Sequence, residues 1–277
     1  MVHKLIGFYG DRLEFTPKRT DQLAIEIGSH QIACLVKNSS TGEIDAIELF
    51  QFEQLNADWS DILFEVKQNS KILGPTYSDC FVYFNLEEAL ILPMSEMSAS
   101  AASDYLALVY GEDERSDTKF DRINSTLPTV TIYRIKKSLT ELLDRNFLIF
   151  KTQHTYTNIL NDILNRPNLP SVFLKLIVYH KHIILVLIKD SQLQLIQSYQ
   201  FLHADDILYY AISVANQSGV SPLQMQIEIS GMIDVQANLL DQLKKSFGIV
   251  SHDFLPNLLG PSNYSTSFLT PFYKLLA

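Results

Sequence analysis

The stretch from Val172 to Gly231 constrains the fold of this chain more than any other part of it. It contains three predicted strands, a helix and a returning strand, namely Val172–Tyr179, His182–Lys189, Gln192–Phe201, the helix His203–Ser218 and the strand Met225–Ser230. The breaks between the first three strands are so short that only hairpins can join them. The stretch therefore predicts an antiparallel triple of strands, followed by a helix and a fourth strand.

The helix prediction in this stretch rests on apolar spacing and on both helix ends. Asp205 and Asp206 lie in the first turn, where acidic side chains interact favourably with the helix dipole, and Gly219 follows the last turn. Apolar residues share one helical face: Ile207, Leu208, Ala211, Ile212 and Ala215. The fourth strand alternates apolar and polar residues, which is typical of a strand with one buried face.

The first half of the chain repeats this order of elements with insertions. Strands are predicted at Gln22–Gly28, Gln31–Lys37, Glu43–Phe52, Asp79–Phe84 and Thr129–Arg134, with helices at Trp59–Asn69 and Ala99–Tyr110. The order of three strands, helix, strand, helix and strand thus occurs at 22–134 and again at 172–254. Arg166–Pro170 has the composition of a linker. We expect an α/β fold with mixed sheets in two domains, at 1–168 and 169–277.

Several segments outside these elements lack a clear period. We expect residues 1–20 to be a loosely held N-terminal lead-in, and residues 111–128, the most polar part of the chain, to be an exposed loop. Residues 256–277 are predicted to be an irregular C-terminal tail that packs on the surface, because they are rich in leucine and aromatic residues. A capping box at Ser138–Glu141 predicts one helix start, and Asp234 is predicted to cap another helix.

The composition indicates a folded protein and argues against nucleic acid as a partner. Apolar residues make up 47% of the 277 residues, which is enough for a sizeable core. The net charge is −9, and general nucleic-acid binding is not expected because phosphate contacts need clustered Lys and Arg. Cys34 and Cys80 lie in apolar, strand-like runs and are expected to be buried, reduced thiols.

The hydropathy of the sequence does not favour a membrane span. The most hydrophobic stretch, Phe173–Ile188, is interrupted by Lys175 and by the run His180–His182, whereas a span needs about 20 predominantly apolar residues. Residues 1–20 are polar and mixed, unlike a secretory signal. We therefore expect no membrane insertion and a cytoplasmic location.

Five stretches carry a resemblance to known proteins: Leu23–Gly28, Val130–Ile135, Phe150–Leu164, Ser198–Tyr210 and Ile227–Gly231. In the order of its segments the chain is similar to an uncharacterised bacterial family with an actin-like fold, over most of its length. The doubled unit also resembles the wider superfamily of actin, the sugar kinases and the heat-shock chaperones. The resemblance implies two ribonuclease H-like, actin-type units that face each other across a cleft. It implies no particular activity, because the matching motifs are structural.

The resemblance also indicates where a nucleotide would be expected. Nucleotide-using members of the superfamily place Asp-x-Gly at the first hairpin of each unit, so that backbone amides meet phosphates and the Asp organises a metal ion. The matching residues of the first unit are Glu26, Gly28 and Ser29. Glu26 keeps the charge but is longer by one methylene, which would shift the metal geometry. The matching turn of the second unit, Tyr179–His182, has neither Asp nor Gly.

The adenosine-side motif of the superfamily is a pair of glycines after the fourth strand, and Gly231 is the one glycine at that place. The candidate residues of a residual nucleotide site are therefore Glu26, Gly28, Ser29 and Gly231. The alternative for the two glycines is a structural role, in a tight turn and at a strand end.

These motifs are degenerate, and our leading hypothesis is a non-catalytic actin-like protein that serves as an interaction scaffold for a protein partner. The alternative is an ATP-binding protein or ATPase of the superfamily, with ATP and Mg²⁺ as cofactor and with Glu26 and Gly28 at the phosphates. Under the first hypothesis no cofactor is expected. No catalytic residue is predicted. No metal site is predicted either, because a hairpin turn explains the two candidate ligands, His180 and His182.

Overall fold

The computed structural model describes residues 1–10, 15–53, 58–125, 128–233, 238–253 and 266–276. The chain divides into two compact units, and its last three residues return to the first of them. Unit 1 consists of Met1–Asn165 with Leu275–Ala277, and unit 2 consists of Arg166–Lys274. The division into two domains at 1–168 and 169–277 stays a prediction.

Unit 1 is a mixed α/β unit whose described strands form two sheets. The strands are β1 (Val2–Phe8), β2 (Gln22–Gly28), β3 (Gln31–Lys37), β4 (Ile44–Phe52), β5 (Asp79–Asn85), β6 (Ala89–Pro93), β7 (Ser116–Ile123), β8 (Thr129–Lys136) and β9 (Lys151–His154). The helices are α1 (Trp59–Asn69), α2 (Ala99–Tyr110), α3 (Lys137–Asn146) and α4 (Thr155–Leu164). The larger sheet has the order β1-β4-β3-β2-β5-β9, in which β2, β5 and β9 are parallel. The smaller sheet, β6-β8-β7, is antiparallel.

Unit 2 has one sheet among its described residues, and it repeats the order of unit 1. Its elements are β10 (Val172–Val178), β11 (His182–Lys189), β12 (Gln192–Gln200), α5 (Ala204–Gln217), β13 (Gln226–Gly231), α6 (Leu239–Ser246), β14 (Ile249–His252) and α7 (Thr266–Tyr273). The sheet order is β12-β11-β10-β13-β14, with β10, β13 and β14 parallel. Both sheets thus place the third, second, first, fourth and fifth strands of the repeat side by side.

The core of each unit is built around strands that are apolar on both faces. Nearly every residue of β2, β3, β10 and β11 is buried, so these strands read as continuous apolar runs rather than as alternating ones. Each leucine or isoleucine buried there contributes roughly 1.5–3 kcal/mol to folding. The helix α1 has its predicted bounds, and its residues Ile62, Leu63 and Val66 are buried. Cys34 and Cys80 are buried free thiols, as predicted.

The expectation of a loosely held lead-in at residues 1–20 is wrong for its first part. Val2–Phe8 forms β1, which pairs antiparallel with β4. In this edge strand only Ile6 is buried, and the pairing has a register shift between Lys4 and Ile6. The periodic signal is weak because β1 pairs with β4 alone among the described strands, and the backbone ladder rather than an apolar face holds it.

The expectation of an exposed loop at residues 111–128 is also wrong. Ser116–Ile123 forms β7, an edge strand whose exposed positions are Thr118, Phe120 and Arg122. The strand predicted at Thr129–Arg134 exists, as part of β8, but it is the centre of the small sheet and not the fifth strand of the repeat. That place in the larger sheet is taken by β9, at Lys151–His154.

Two details at the ends of elements need correction. The capping box predicted at Ser138–Glu141 does not form, since α3 begins at Lys137 and its N-cap, Lys136, makes no side-chain capping bond. The C-terminal tail is not irregular where it is described, because α7 forms there and buries Phe268 and Phe272 against unit 2. The predicted cap Asp234 lies outside the described residues.

Candidate functional site

The candidate site in unit 1 starts from Glu26, in the central strand β2. Glu26 is 1% exposed, and the Thr155 hydroxyl donates a 3.0 Å hydrogen bond to its Oε1. Thr155 is the first residue of α4 and directly follows β9. Because β2, β5 and β9 are parallel, their carboxyl ends meet at one edge of the sheet, which is where open α/β sheets bind ligands. Glu26 lies near that edge and is enclosed by protein.

His154 ends β9 and caps α4 with its imidazole. Nδ1 accepts a hydrogen bond from the Tyr156 amide at 3.1 Å, so Nε2 carries the proton and donates to the Leu86 carbonyl at 3.0 Å. The ring packs against Tyr133 and Tyr156, with centroid distances of 5.0 and 4.7 Å. Burial lowers the pKa of His154 to about 4, although its hydrogen bond to Leu86 opposes the shift. The imidazole is therefore neutral at pH 7.

Asp121 joins this group through the backbone. Its carboxylate accepts hydrogen bonds from the His154 amide at 2.6 Å and from the Tyr133 hydroxyl at 3.2 Å. Burial raises the pKa of Asp121 and outweighs these hydrogen bonds, which lower it. Asp121 lies in β7, within the segment predicted to be a loop, and sequence analysis missed it. An isolated Asp in a polar stretch gives no signal of burial.

The chemistry open to this group is limited by how well its members are satisfied within the protein. Both ring nitrogens of His154 are engaged, one with the start of α4 and the other with the Leu86 carbonyl. General acid–base catalysis needs a ring nitrogen within hydrogen-bond reach of the substrate. His154 could reach a substrate only by giving up the helix cap or the hydrogen bond to Leu86, and its arrangement is that of a structural residue.

Gly28 and Ser29 lead into the β2–β3 hairpin beside a cavity of about 180 Å³, here called the Ser29 cavity. Its lining includes Ser29, Trp59, Glu87, Glu88, Arg134 and Lys136. Arg134 Nη1 donates to the Gly111 carbonyl at 2.6 Å and lies 3.5 Å from Glu88 Oε2. The wall thus carries both signs of charge, and the volume is below the roughly 300–1,000 Å³ of ordinary small-molecule pockets.

The two candidate glycines differ in what their backbones require. Gly231 has φ +92°, and a Cβ built on it would lie 2.1 Å from the Val178 carbonyl oxygen, which accepts a 2.7 Å hydrogen bond from the Met232 amide. A Cβ on Gly28 would meet nothing nearer than the Gln31 carbonyl oxygen at 3.4 Å. Gly231 is therefore fixed by the close approach of two parallel strands, which is the structural role that the sequence left as an alternative.

The first hairpin of unit 2 is closed by aromatic packing. The rings of Tyr179 and His182 stack at 4.7 Å with planes 7° apart, and the Tyr179 amide donates to the His182 carbonyl at 2.9 Å. Phe272 of α7 meets Tyr179 edge-on at 6.0 Å. Both stacked residues are buried. Among the described residues, no three His, Cys, Asp or Glu side chains are grouped as metal ligands would be.

Unit 2 also holds a buried ion cluster that the sequence analysis did not predict. Lys175 of β10 is 2% exposed, and its ammonium lies 2.7 Å from Glu228 Oε1 and contacts Asp253 Oδ2. Arg166 Nη1 lies 2.8 Å from Glu228 Oε1, and Lys274 Nζ lies 2.6 Å from Asp253 Oδ2. Burial alone would raise the pKa of Asp253, but the two lysines outweigh it and hold that pKa below its usual value.

Loss of an anion and loss of a cation from this cluster should have unequal effects, because its described members are three cations and two carboxylates. We expect Asp253→Asn to lower the free energy of unfolding by about 2 kcal/mol, since it leaves buried positive charge without its partner. Lys175→Met should cost less, because the remaining charges balance. Urea denaturation at pH 7 measures both, and a larger loss for Lys175→Met would contradict this account.

A family model described as "Protein of unknown function (DUF3822)" matches residues 11–249 of this chain. The chain belongs to the DUF3822 family. Among solved structures, this DUF3822 protein is similar to a Bacteroides thetaiotaomicron protein with an actin-like ATPase fold and unknown function. The TM-score is 0.78 at 15% identity, over 93% of this chain and 96% of that one. The predicted actin-like fold, and the resemblance to an uncharacterised family with that fold, are confirmed.

A second similar structure is a PilM–PilN type IV pilus biogenesis complex, with a TM-score of 0.61 at 11% identity over 94% of the DUF3822 chain and 97% of the other. At these identities both likenesses concern the fold alone. No curated protein matches the DUF3822 chain in sequence. None of the helices in its described parts is both long enough and apolar enough to cross a membrane.

Proposed function

We propose that this DUF3822 protein is a non-catalytic actin-like protein that binds another protein. The observation that carries the proposal is the state of Glu26, the residue that would organise Mg²⁺ at a nucleotide. Its carboxylate is buried at 1% exposure and accepts a hydrogen bond from Thr155 within its own unit. A carboxylate held in this way is poorly placed to coordinate a hydrated metal ion, because Mg²⁺ keeps several waters and demands near-octahedral geometry.

The remaining candidate residues also fit ATP and Mg²⁺ poorly. A phosphate needs converging backbone amides, which glycine-rich turns supply. The turn of unit 2 contains no glycine and is closed by the stacked rings of Tyr179 and His182. Gly231 is accounted for by its contact with Val178. We therefore propose that no nucleotide cofactor is needed.

The choice of a protein partner is supported by the Ser29 cavity and by one similar structure. The cavity is small, lies beside a hairpin and is lined by charges of both signs, on Glu88, Arg134 and Lys136, which suits the mixed side chains of a peptide segment better than a polyanion. PilM, in the structure similar to this one, is in a complex with PilN. We propose that this interaction takes place in the cytoplasm, where buried free thiols such as Cys34 and Cys80 are usual.

The partner-binding part of the proposal is tested with matched surface variants. Wild-type protein, Lys136→Glu at the cavity and Lys245→Glu on exposed α6 would be used to capture partners from cytoplasmic extract, after their melting temperatures are shown to agree. We expect a partner that is retained by wild type and Lys245→Glu and lost by Lys136→Glu. Equal capture by all three proteins would exclude the Ser29 cavity as the binding surface.

The second candidate function is nucleotide binding, favoured by Gly28 and Ser29 beside the same cavity. It is separated from the first by melting temperature, because a ligand at 100 times its Kd stabilises the folded state by about 2.7 kcal/mol. We expect no change in Tm at 1 mM Mg-ATP. The control is Gly28→Val, whose Tm should likewise not change when Mg-ATP is added. A concentration-dependent rise in wild type that is absent in Gly28→Val would establish a nucleotide site and overturn the proposal.

A further inference from the structure

One face of the smaller sheet of unit 1 is covered over only part of its width. Leu90 of β6 and Phe120 of β7 lie opposite Ile132 of the central strand β8, on its two sides, so the three side chains share this face. Helix α2 packs there, and Ile132 and Val130 are completely buried. The β7 positions of the same face remain exposed, and they are Thr118, Phe120 and Arg122.

The position of α2 on this face follows from Tyr110, in its last turn. The Tyr110 hydroxyl donates a 3.0 Å hydrogen bond to the Ala89 carbonyl of β6, so this residue lies on the β6 side of the helix. Successive helical residues are about 100° apart, which places Val109 on the other side of the sheet-facing Leu106, towards β7. Val109 is 56% exposed and Phe120 is 50% exposed. The open area is here called the Phe120 surface and consists of Val109, Thr118, Phe120 and Arg122.

The Phe120 surface has room for one further helix. Neighbouring strands lie about 4.8 Å apart, and packed helices lie about 8–10 Å apart. Since α2 lies over β6 and β8, a helix beside it would lie over β7. Such a helix would bury Val109 and Phe120 under an apolar stripe, as an amphipathic helix does when it docks in a groove. A partner strand would instead pair with a sheet edge and leave these side chains exposed.

Arg122 indicates the charge of the partner. Among the described residues its guanidinium has no ion-pair partner. The other two cations of this face are paired, and the pairs are Arg134 with Glu88 and Lys136 with Asp113. A second copy docked by the same surface would bring another unpaired arginine and no carboxylate into the interface, and nucleic acid needs clustered cations. The complementary partner therefore supplies a carboxylate.

The Phe120 surface is continuous with the Ser29 cavity. Ser116, at the start of β7, lines that cavity and shares the face of Phe120, because side chains alternate along the regular ladder between β7 and β8. We infer, on the basis of the proposed function, that the protein partner docks an amphipathic helix on this surface. Its apolar side chains pack against Val109 and Phe120, and an acidic side chain pairs with Arg122.

The first experiment identifies what lies on the surface. The full-length chain, with p-benzoylphenylalanine in place of Phe120, is photo-cross-linked in cytoplasmic extract, and the attached segment is sequenced by mass spectrometry. We expect a segment of another protein with apolar residues at helical spacing and an Asp or Glu beside them. The absence of a cross-link, a cross-link to this chain's own sequence, or a segment without that pattern would overturn the inference.

The second experiment measures the charge pair, with the cross-linked segment as a labelled synthetic peptide. Fluorescence anisotropy gives its Kd for full-length wild type, for Arg122→Glu and for the control Lys245→Glu, after circular dichroism shows equal folding. Arg122→Glu should raise the Kd about tenfold, and Lys245→Glu should leave it unchanged. A peptide with Lys in place of its acidic residue should bind Arg122→Glu better than wild type. Equal Kd values for wild type and Arg122→Glu would contradict the pairing.

Lys136→Glu distinguishes a failure of this inference from a failure of the proposed function. If Lys136→Glu loses the partner and Arg122→Glu binds it as wild type does, the cavity is the binding surface and the docked helix is excluded. If wild type retains no partner from extract and gives no cross-link, the proposed function fails as well.

Discussion

Gly231→Ala is expected to destabilise the protein by about 3–5 kcal/mol, one of the largest effects of any single substitution in unit 2. The added Cβ would lie 2.1 Å from the Val178 carbonyl oxygen, which is backbone and cannot swing aside. The φ of +92° costs an L-residue roughly a further 1–2 kcal/mol. Relief requires β10 and β13 to separate at their carboxyl ends, and this strains the central parallel pair of the sheet.

Gly219→Ala is the matched control for this prediction. Gly219 also has a positive φ, +70°, but a Cβ there would meet no atom within 4 Å. Gly219→Ala should lower the free energy of unfolding by only about 1 kcal/mol, because only the backbone conformation is unfavourable. Chemical denaturation of both variants measures the difference. If Gly231→Ala were no worse than Gly219→Ala, the close approach of Val178 would not be what fixes this glycine, and a ligand-binding role would regain support.

The second large effect is a loss of stability in mild acid. His154 is buried and neutral with a pKa of about 4, whereas an exposed histidine in the unfolded chain has a pKa of about 6.5. Between these values the unfolded state binds a proton that the folded state does not, so stability falls as the pH falls. The slope is about 1.4 kcal/mol per pH unit, and the total loss by pH 4 is about 3 kcal/mol.

His154→Asn isolates this contribution. Asparagine can still cap α4 at the Tyr156 amide but does not titrate. The variant should be less stable than wild type at pH 7, because it loses the ring contacts with Tyr133 and Tyr156, and the difference should shrink as the pH falls towards 4. Asp121, with its raised pKa, acts in the opposite direction in both proteins and cancels in the comparison. A constant difference across this range would show that His154 does not titrate as described.

The parts of the fold that the sequence predicts best are those in which burial requires a recognisable pattern of apolar residues. The bounds of β2, β3, α1 and α2 agree with their predicted ranges because apolar residues mark one helical face or fill a fully buried strand. The edge strands β1 and β7 were missed for the opposite reason. They are held by backbone hydrogen bonds on one side, and such bonds leave no pattern of side chains to recognise.

The sequence indicates which residues are candidates for the site, but not the contacts that hold their side chains. The resemblance indicates Glu26 and Gly28 as candidates, yet the hydrogen bond that Glu26 accepts comes from Thr155, which is far away in the sequence. The partners of Lys175 are likewise distant: Glu228 lies on a neighbouring strand and Asp253 follows another. A single sequence contains each charge but not the contact that neutralises it.

The fourth and fifth strands of the repeat are much farther apart in the sequence of unit 1 than in that of unit 2, and this difference affects the expected order of folding. In unit 2 the described residues between β13 and β14 contain one α-helix, α6, whereas those between β5 and β9 of unit 1 contain the whole small sheet and two α-helices. Closing the longer loop costs about 1 kcal/mol more in chain entropy. Strand β9 has only four residues with which to offset that cost, and it carries His154 at its end. We therefore expect unit 2 to complete its sheet from local contacts, and unit 1 to assemble its insertion first and to add β9 last.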